Sequence, residues 1–130
     1  MASIGMRQPT QLGYEQALAR LPELLKSEGF GIITEIDIQD TLKKKIGANF
    51  RRYKILGACN PSFALEALSH DLGIGVMLPC NVAVYEDDDG RAVVSTIDPR
   101  QMMAKHDSPA MVALAGKVRE KLEAVLQKLG

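Results

Sequence analysis

The sequence predicts an α+β domain, a single mainly antiparallel sheet with helices packed on one face. Three observations predict it. Apolar residues recur at helical intervals near both ends of the chain and alternate in twos through much of the middle. Two dipeptides, Asn60-Pro61 and Ser108-Pro109, open helices in the favoured way, with a capping side chain followed by proline at the first helical position. The run Asp87-Asp88-Asp89-Gly90 separates two Val-rich segments and forms a hairpin turn, because Asp-Gly tolerates the positive φ such turns need.

The elements follow in order. Residues 1–9 read as a loose arm. Tyr14, Leu18, Leu21 and Leu25 share one helix face, and Gly29 ends that helix. Pro22 lies inside the pattern and is expected to kink the helix or to begin its second half. Phe30 to Asp37 alternates as a strand. Asp37 then caps a short helix with Ile38, Leu42 and Ile46 on one face and Lys43, Lys44 and Lys45 largely off it, and Gly47 stops it. Arg51 to Ala58 is a second strand. Ala64, Leu65, Leu68 and Leu72 form the apolar face of the helix opened by Asn60, which Gly73 closes. Gly75 to Glu86 reads as a third strand and Arg91 to Ile97 as its hairpin partner. Asp98-Pro99 breaks the sheet, and Arg100 to Asp107 is a connection. The final helix carries Met111, Leu114, Val118, Leu122, Val125 and Leu129 at alternating three- and four-residue steps. Strand two, its following helix and strand three can instead form a parallel βαβ crossover, which makes the sheet mixed.

Composition narrows the classes. With 130 residues the chain is one domain, 1–130, able to bury a core without disulfides or metal. Apolar residues make up 46% and charged residues 25%, which excludes disordered, collagen-like and disulfide-scaffold classes. Sixteen Lys and Arg balance sixteen Asp and Glu, so no nucleic-acid partner is expected. No apolar run approaches the ~18 residues of a spanning helix, and no membrane partner is expected. The polar stretch Met1 to Gln11 has no signal-peptide core. Two cysteines are too few for a secreted framework. The expectation is a cytoplasmic protein with reduced thiols.

Chemistry concentrates at two cysteines. Cys59 precedes the helix opened by Asn60-Pro61, beside unpaired N–H groups and the positive end of a helix dipole. That setting lowers a thiol pKa and suits a nucleophile, a metal ligand or an anion site. The plainer reading is a small buried residue with Asn60 as a cap. Cys80 alternates with Leu78, Val82 and Val84 as a core-facing residue. It lies 21 residues after Cys59, and both cysteines are followed by asparagine, Asn60 and Asn81. No zinc site is expected and no metal ligand is assigned, since His70 and His106 lack partners at ligand spacing and read as surface residues. The acidic hairpin fails the calcium-loop register: Gly90 at position six puts Tyr85 at one and Thr96 at twelve. The basic segment from Lys43 to Lys54 reads as a solvated face. Serine-hydrolase, dinucleotide and P-loop motifs are absent. Glu35 and Asp37 sit two apart on one strand face and can act together, although Asp37 has a capping role to fill.

The runs Gly57-Ala58-Cys59-Asn60-Pro61 and Leu78-Pro79-Cys80-Asn81-Val82 resemble the domain-of-unknown-function 302 family. Gly29-Phe30-Gly31, Thr34-Glu35-Ile36-Asp37 and Lys45 resemble its first signature, and Asp98-Pro99 sits where its last strand ends. The likeness covers about residues 12–128. It implies a curved antiparallel sheet of about four or five strands, helices on one side and frequent dimers. It carries over Glu35, Asp37, Cys59, Asn60, Pro61, Pro79, Cys80 and Asn81 as motif residues without assigning them a role. Pro22 departs from the family's more regular first helix.

The leading functional expectation is a non-enzymatic, self-associating domain, a homodimer, that binds a small ligand, either an anion or a soft metal ion. Cys59, Asn60, Cys80 and Asn81 are its candidate ligand-binding residues, with Glu35 and Asp37 beside them. No catalytic residue and no cofactor is assigned. One alternative is a thiol redox protein or thiol enzyme using Cys59 and Cys80. Another is a structural interaction module in which the Cys-Asn motifs hold strand-to-helix corners together.

Overall fold

The stripe of Tyr14, Ala17, Leu21 and Leu25 becomes the buried face of helix α1 (Tyr14–Ser27) in the computed structural model of the chain, which describes residues 4–130. Helix α1 runs without interruption through Pro22. It ends where Gly29 takes a φ of 87° and lets the Phe30 N–H donate back to the Leu25 carbonyl at 2.9 Å. Strand β2 (Gly31–Asp37) follows. Asp37 then caps α2 (Ile38–Ile46), its Oδ1 accepting from the Asp40 N–H at 2.9 Å. Strand β3 (Tyr53–Cys59), helix α3 (Pro61–His70), a 3₁₀ segment (Leu72–Met77) and strand β4 (Cys80–Glu86) form the middle of the chain. The Asp87–Gly90 hairpin leads to β5 (Ala92–Thr96). A short α4 (Pro99–Met103) and the long α5 (Pro109–Gln127) complete the described chain.

With Met6–Pro9 as β1, the five strands form one antiparallel sheet in the order β1-β5-β4-β3-β2. The fold is therefore α+β, as expected. Four of the expected details are corrected. The arm is not loose over its second half, because β1 (Met6–Pro9) pairs with β5, Met6 opposite Thr96 and Pro9 opposite Val93. Residues 1–3 of that arm lie outside the described residues. No parallel crossover forms between β3 and β4. The chain turns back through α3 and the 3₁₀ segment, and the two strands pair antiparallel, Tyr53 opposite Tyr85 and Ala58 opposite Cys80. Strand three starts at Cys80 rather than Gly75, since Asp71 caps the glycine-interrupted run 72–77 as a 3₁₀ turn through the Gly73 N–H. Within the supposed connection 100–107, residues 100–103 are helical, because Asp98 caps α4 just as Asn60 and Ser108 cap α3 and α5.

Burial explains the assembly. Leu56, Ala58, Val82, Val84 and Val94 on one sheet face meet Leu21, Leu25, Leu122 and Val125 from α1 and α5. Each such large side chain stabilises the fold by about 1.5–3 kcal/mol relative to exposure. A second cluster of Ala67, Ile74, Met103, Met111, Leu114 and Ala115 joins α3, the 3₁₀ segment, α4 and α5. The opposite sheet face carries Tyr53 stacked on Tyr85, with ring centroids 5.2 Å apart. Helix α2 buries none of its residues fully, and Ile46 stays exposed at the end of its expected apolar face. Much of the basic segment is paired with acids, as a solvated face requires. Lys44 meets Asp40, Arg51 meets Asp88, Arg52 meets Glu15 and Glu86, and Lys54 meets Glu35.

Because β1 covers the edge of β5, removing residues 1–9 exposes an unpaired strand. The truncated chain is expected to melt at least about 4 °C lower and to aggregate on heating. Unchanged melting by circular dichroism contradicts a structural role for β1.

Candidate functional site

The antiparallel register of β3 and β4 brings the two Cys-Asn motifs together. Residues 60–79 leave the end of β3 and return to the start of β4, so Cys80 lies opposite Ala58, one step from Cys59. Asn60 caps α3 with its Oδ1, which accepts from the Phe63 N–H at 3.4 Å. Its amide nitrogen packs against Gly29, where an added Cβ would approach to 2.8 Å. Gly57 is equally confined, since a Cβ there would meet the Thr34 hydroxyl and lie 2.7 Å from the Pro79 ring. Such close approach requires glycine.

A cavity of about 360 Å³ opens between this end of the sheet and α3, the 3₁₀ segment, α4 and α5. Cys59, Asn60 and Cys80 border it together with side chains of the second core cluster. Twenty-two residues surround it, and none is Lys, Arg, His, Asp or Glu. Asn60 is the one lining side chain that carries an amide, and four of the chain's six methionines face the space.

The two thiols differ in setting. Both are free. Cys80 shares the core-side face of the sheet with Ala58, whereas Cys59 is displaced by one position, so their Cβ directions diverge across the pleat. Burial, reinforced by the nearby Cys59, pushes the Cys80 thiol up to about 11. Cys80 is therefore a neutral, packed thiol at neutral pH. The soft donors at the cavity are the two thiols and the thioethers of Met77, Met102, Met103 and Met111. Among the described residues no three His, Cys, Asp or Glu side chains converge into a metal-binding group.

The remaining candidates lie elsewhere. Asn81 is exposed beside Gly57 and does not border the cavity. The repeated Cys-Asn pair is thus not a repeated structural unit. Glu35 binds Lys54 at 2.8 Å, and Asp37 is committed to capping α2. Neither reaches the cavity. His70 is exposed as expected, and His106 is half-buried. Its Nδ1 accepts from the Ser108 N–H at 3.0 Å, and its Nε2 lies 3.2 Å from Asp71. The His106 ring and the Gly73 N–H hold the Asp71 carboxyl below its ordinary value. This contact ties the start of the 3₁₀ segment to the start of α5, two walls of the cavity.

Sequence reasoning placed Met111 and Leu114 on the apolar face of the last helix but missed the wall that Met102 and Met103 contribute from α4. The signal was present in Asp98-Pro99, the third instance of the capping-residue and proline device already recognised at Asn60 and Ser108.

A five-stranded antiparallel sheet with helices packed on it and an apolar cavity at its end defines a small α+β domain. The chain belongs to the family described as domain of unknown function DUF302, whose model matches residues 6–129. It is also similar to the crystal structure of an uncharacterized conserved DUF302 protein from Bacillus stearothermophilus, with 28% sequence identity and a TM-score of 0.91. The match covers 99% of this chain and 100% of that one. No curated protein matches the chain.

With its thiol held at about 11, Cys80 is expected to react with iodoacetamide at pH 8 about a hundredfold more slowly than an ordinary exposed thiol. Its rate should rise about tenfold per pH unit up to that value. Peptide-mapped alkylation of the folded chain measures this, and a rapid reaction at Cys80 contradicts the assignment.

Proposed function

We propose that this domain is a non-catalytic binding protein for a small organic molecule, which occupies the cavity bordered by Cys59, Asn60 and Cys80. One observation carries the reading. The motif residues that end β3, open α3 and begin β4 surround a space of about 360 Å³, within the range of about 300–1,000 Å³ typical of small-molecule sites. A bare anion is a poorer fit, because no cation lines the space and Asn60 already occupies one of the free N–H groups of α3. A soft metal ion finds thioethers and two thiols here, but the thiols diverge across the pleat and Cys80 resists ionisation, so no anionic donor is ready to neutralise it. The same raised value works against Cys80 as the second thiol of a redox pair.

Self-association is the second part of the proposal. The sheet face opposite the core presents Ile36 at 47% exposure beside Ile55, and the Tyr53–Tyr85 stack is extended by Phe50 at 46% exposure, 6.3 Å from Tyr53. An aromatic and aliphatic strip of this kind is a surface on which a second copy can pack. Ile36→Lys is expected to shift the chain to monomer in sedimentation velocity without loss of fold. A monomeric parent chain contradicts the assignment.

Ala64 borders the cavity on α3, and Ala64→Phe places a ring in that space. The variant is expected to bind the neutral fluorophore N-phenyl-1-naphthylamine at least tenfold more weakly than the parent chain, while its circular dichroism spectrum is unchanged. Equal binding by a folded variant removes the cavity as the site.

A further inference from the structure

The lining of the cavity narrows its ligand to one chemical class, an inference that rests on the cavity being the binding site. We infer that it takes an uncharged molecule with a flexible alkyl chain and a single small polar end, such as a medium-chain alcohol or ester. The first ground is charge. None of the surrounding side chains is ionisable apart from the two thiols. A carboxylate, phosphate or ammonium group brought inside would lose its water with no partner ion to replace it.

The second ground is shape and texture. The space holds roughly a dozen methylene-sized groups at about 30 Å³ each. Four of the lining side chains are methionine, Met77, Met102, Met103 and Met111, set among branched aliphatic neighbours. These unbranched thioethers let part of the wall adapt to a ligand of variable conformation.

The third ground is polarity at one end. Asn60 sits at the strand-to-helix corner, and its Oδ1 is spent on the Phe63 N–H. Its amide nitrogen packs against Gly29, so this corner is polar without offering a charge, and only a small uncharged polar end suits it. The 3₁₀ segment turns Ile74 and Met77 to the cavity, while Leu72 and Val76 stand 87% and 89% exposed on the same short stretch.

The test is a chain-length series on the full chain at pH 7.5. Linear alcohols from hexan-1-ol to decan-1-ol are titrated calorimetrically, alongside carboxylates of equal length, inorganic phosphate and Ag⁺. Affinity is expected to rise about fourfold per added methylene, the equivalent of the ~0.8 kcal/mol transfer of one buried CH₂. The matching carboxylates are expected to bind at least tenfold more weakly, and phosphate and Ag⁺ not at all. Alcohol binding without dependence on chain length, carboxylates that bind as tightly as the alcohols, or no alcohol binding overturns the inference. Ala64→Phe separates its failure from failure of the site. If phosphate or Ag⁺ binds the parent chain and is lost in the variant, the ligand class is wrong and the cavity stands. If alcohols bind parent and variant alike, the cavity itself is not the site and both readings fall.

Discussion

The pairing of β3 with β4 is the constraint from which the site follows. Its register sets Ala58 opposite Cys80 and so closes residues 60–79 into an excursion from one end of the sheet. An antiparallel pair needs only that the chain reverse direction, but a reversal that contains α3 and a 3₁₀ turn cannot lie flat on the strands. It stands off the sheet end, and its apolar faces need a second cover. Helices α4 and α5 supply that cover, and the cavity is the volume the two layers leave between them. Gly57 and Gly29 protect the arrangement at its tightest points, where Pro79 and Asn60 approach their backbones.

The molecule thus has two packing regimes. The main core between the sheet and helices α1 and α5 is filled by Leu and Val side chains with almost no exposure. The smaller cluster beside the motifs sets two Ala and two Met beside Ile74 and Leu114. Small residues leave space and thioethers adapt to it. A domain that needed only rigidity would fill both regions alike. This contrast ties the family's motif residues to a cavity while leaving the burden of stability to the other end of the chain.

Charge has a different place in the molecule. The basic residues of 43–54 meet acids on neighbouring elements, and Arg52 also lies over the Tyr14 ring at 5.0 Å. These exposed pairs contribute little stability individually, but they hold the neutral chain's charge away from the cavity. The Asp71–His106 contact is the nearest exception. It links two of the cavity walls from outside, without presenting an ionisable group to its interior.

Local chemistry made much of this legible in advance. Asp37, Asn60 and Ser108 cap the helices they were expected to cap, Gly29 ends α1, and the Asp87–Gly90 turn joins two antiparallel strands. Each depends on residues within a few positions of one another, so spacing alone suffices. The motifs at Cys59 and Cys80 lie at the end of the sheet that the cavity adjoins. Three things could not be read this way. The edge pairing of β1 depends on β5, about 90 positions later, and a short polar strand has no pattern of its own. The sense of the β3–β4 pairing depends on where α3 and the 3₁₀ turn deliver the chain. The separation of Asn81, Glu35 and Asp37 from the cavity depends on strand faces and on pairing partners such as Lys54. These are long-range relations, settled by which surfaces bury one another, and a one-dimensional pattern carries no record of them.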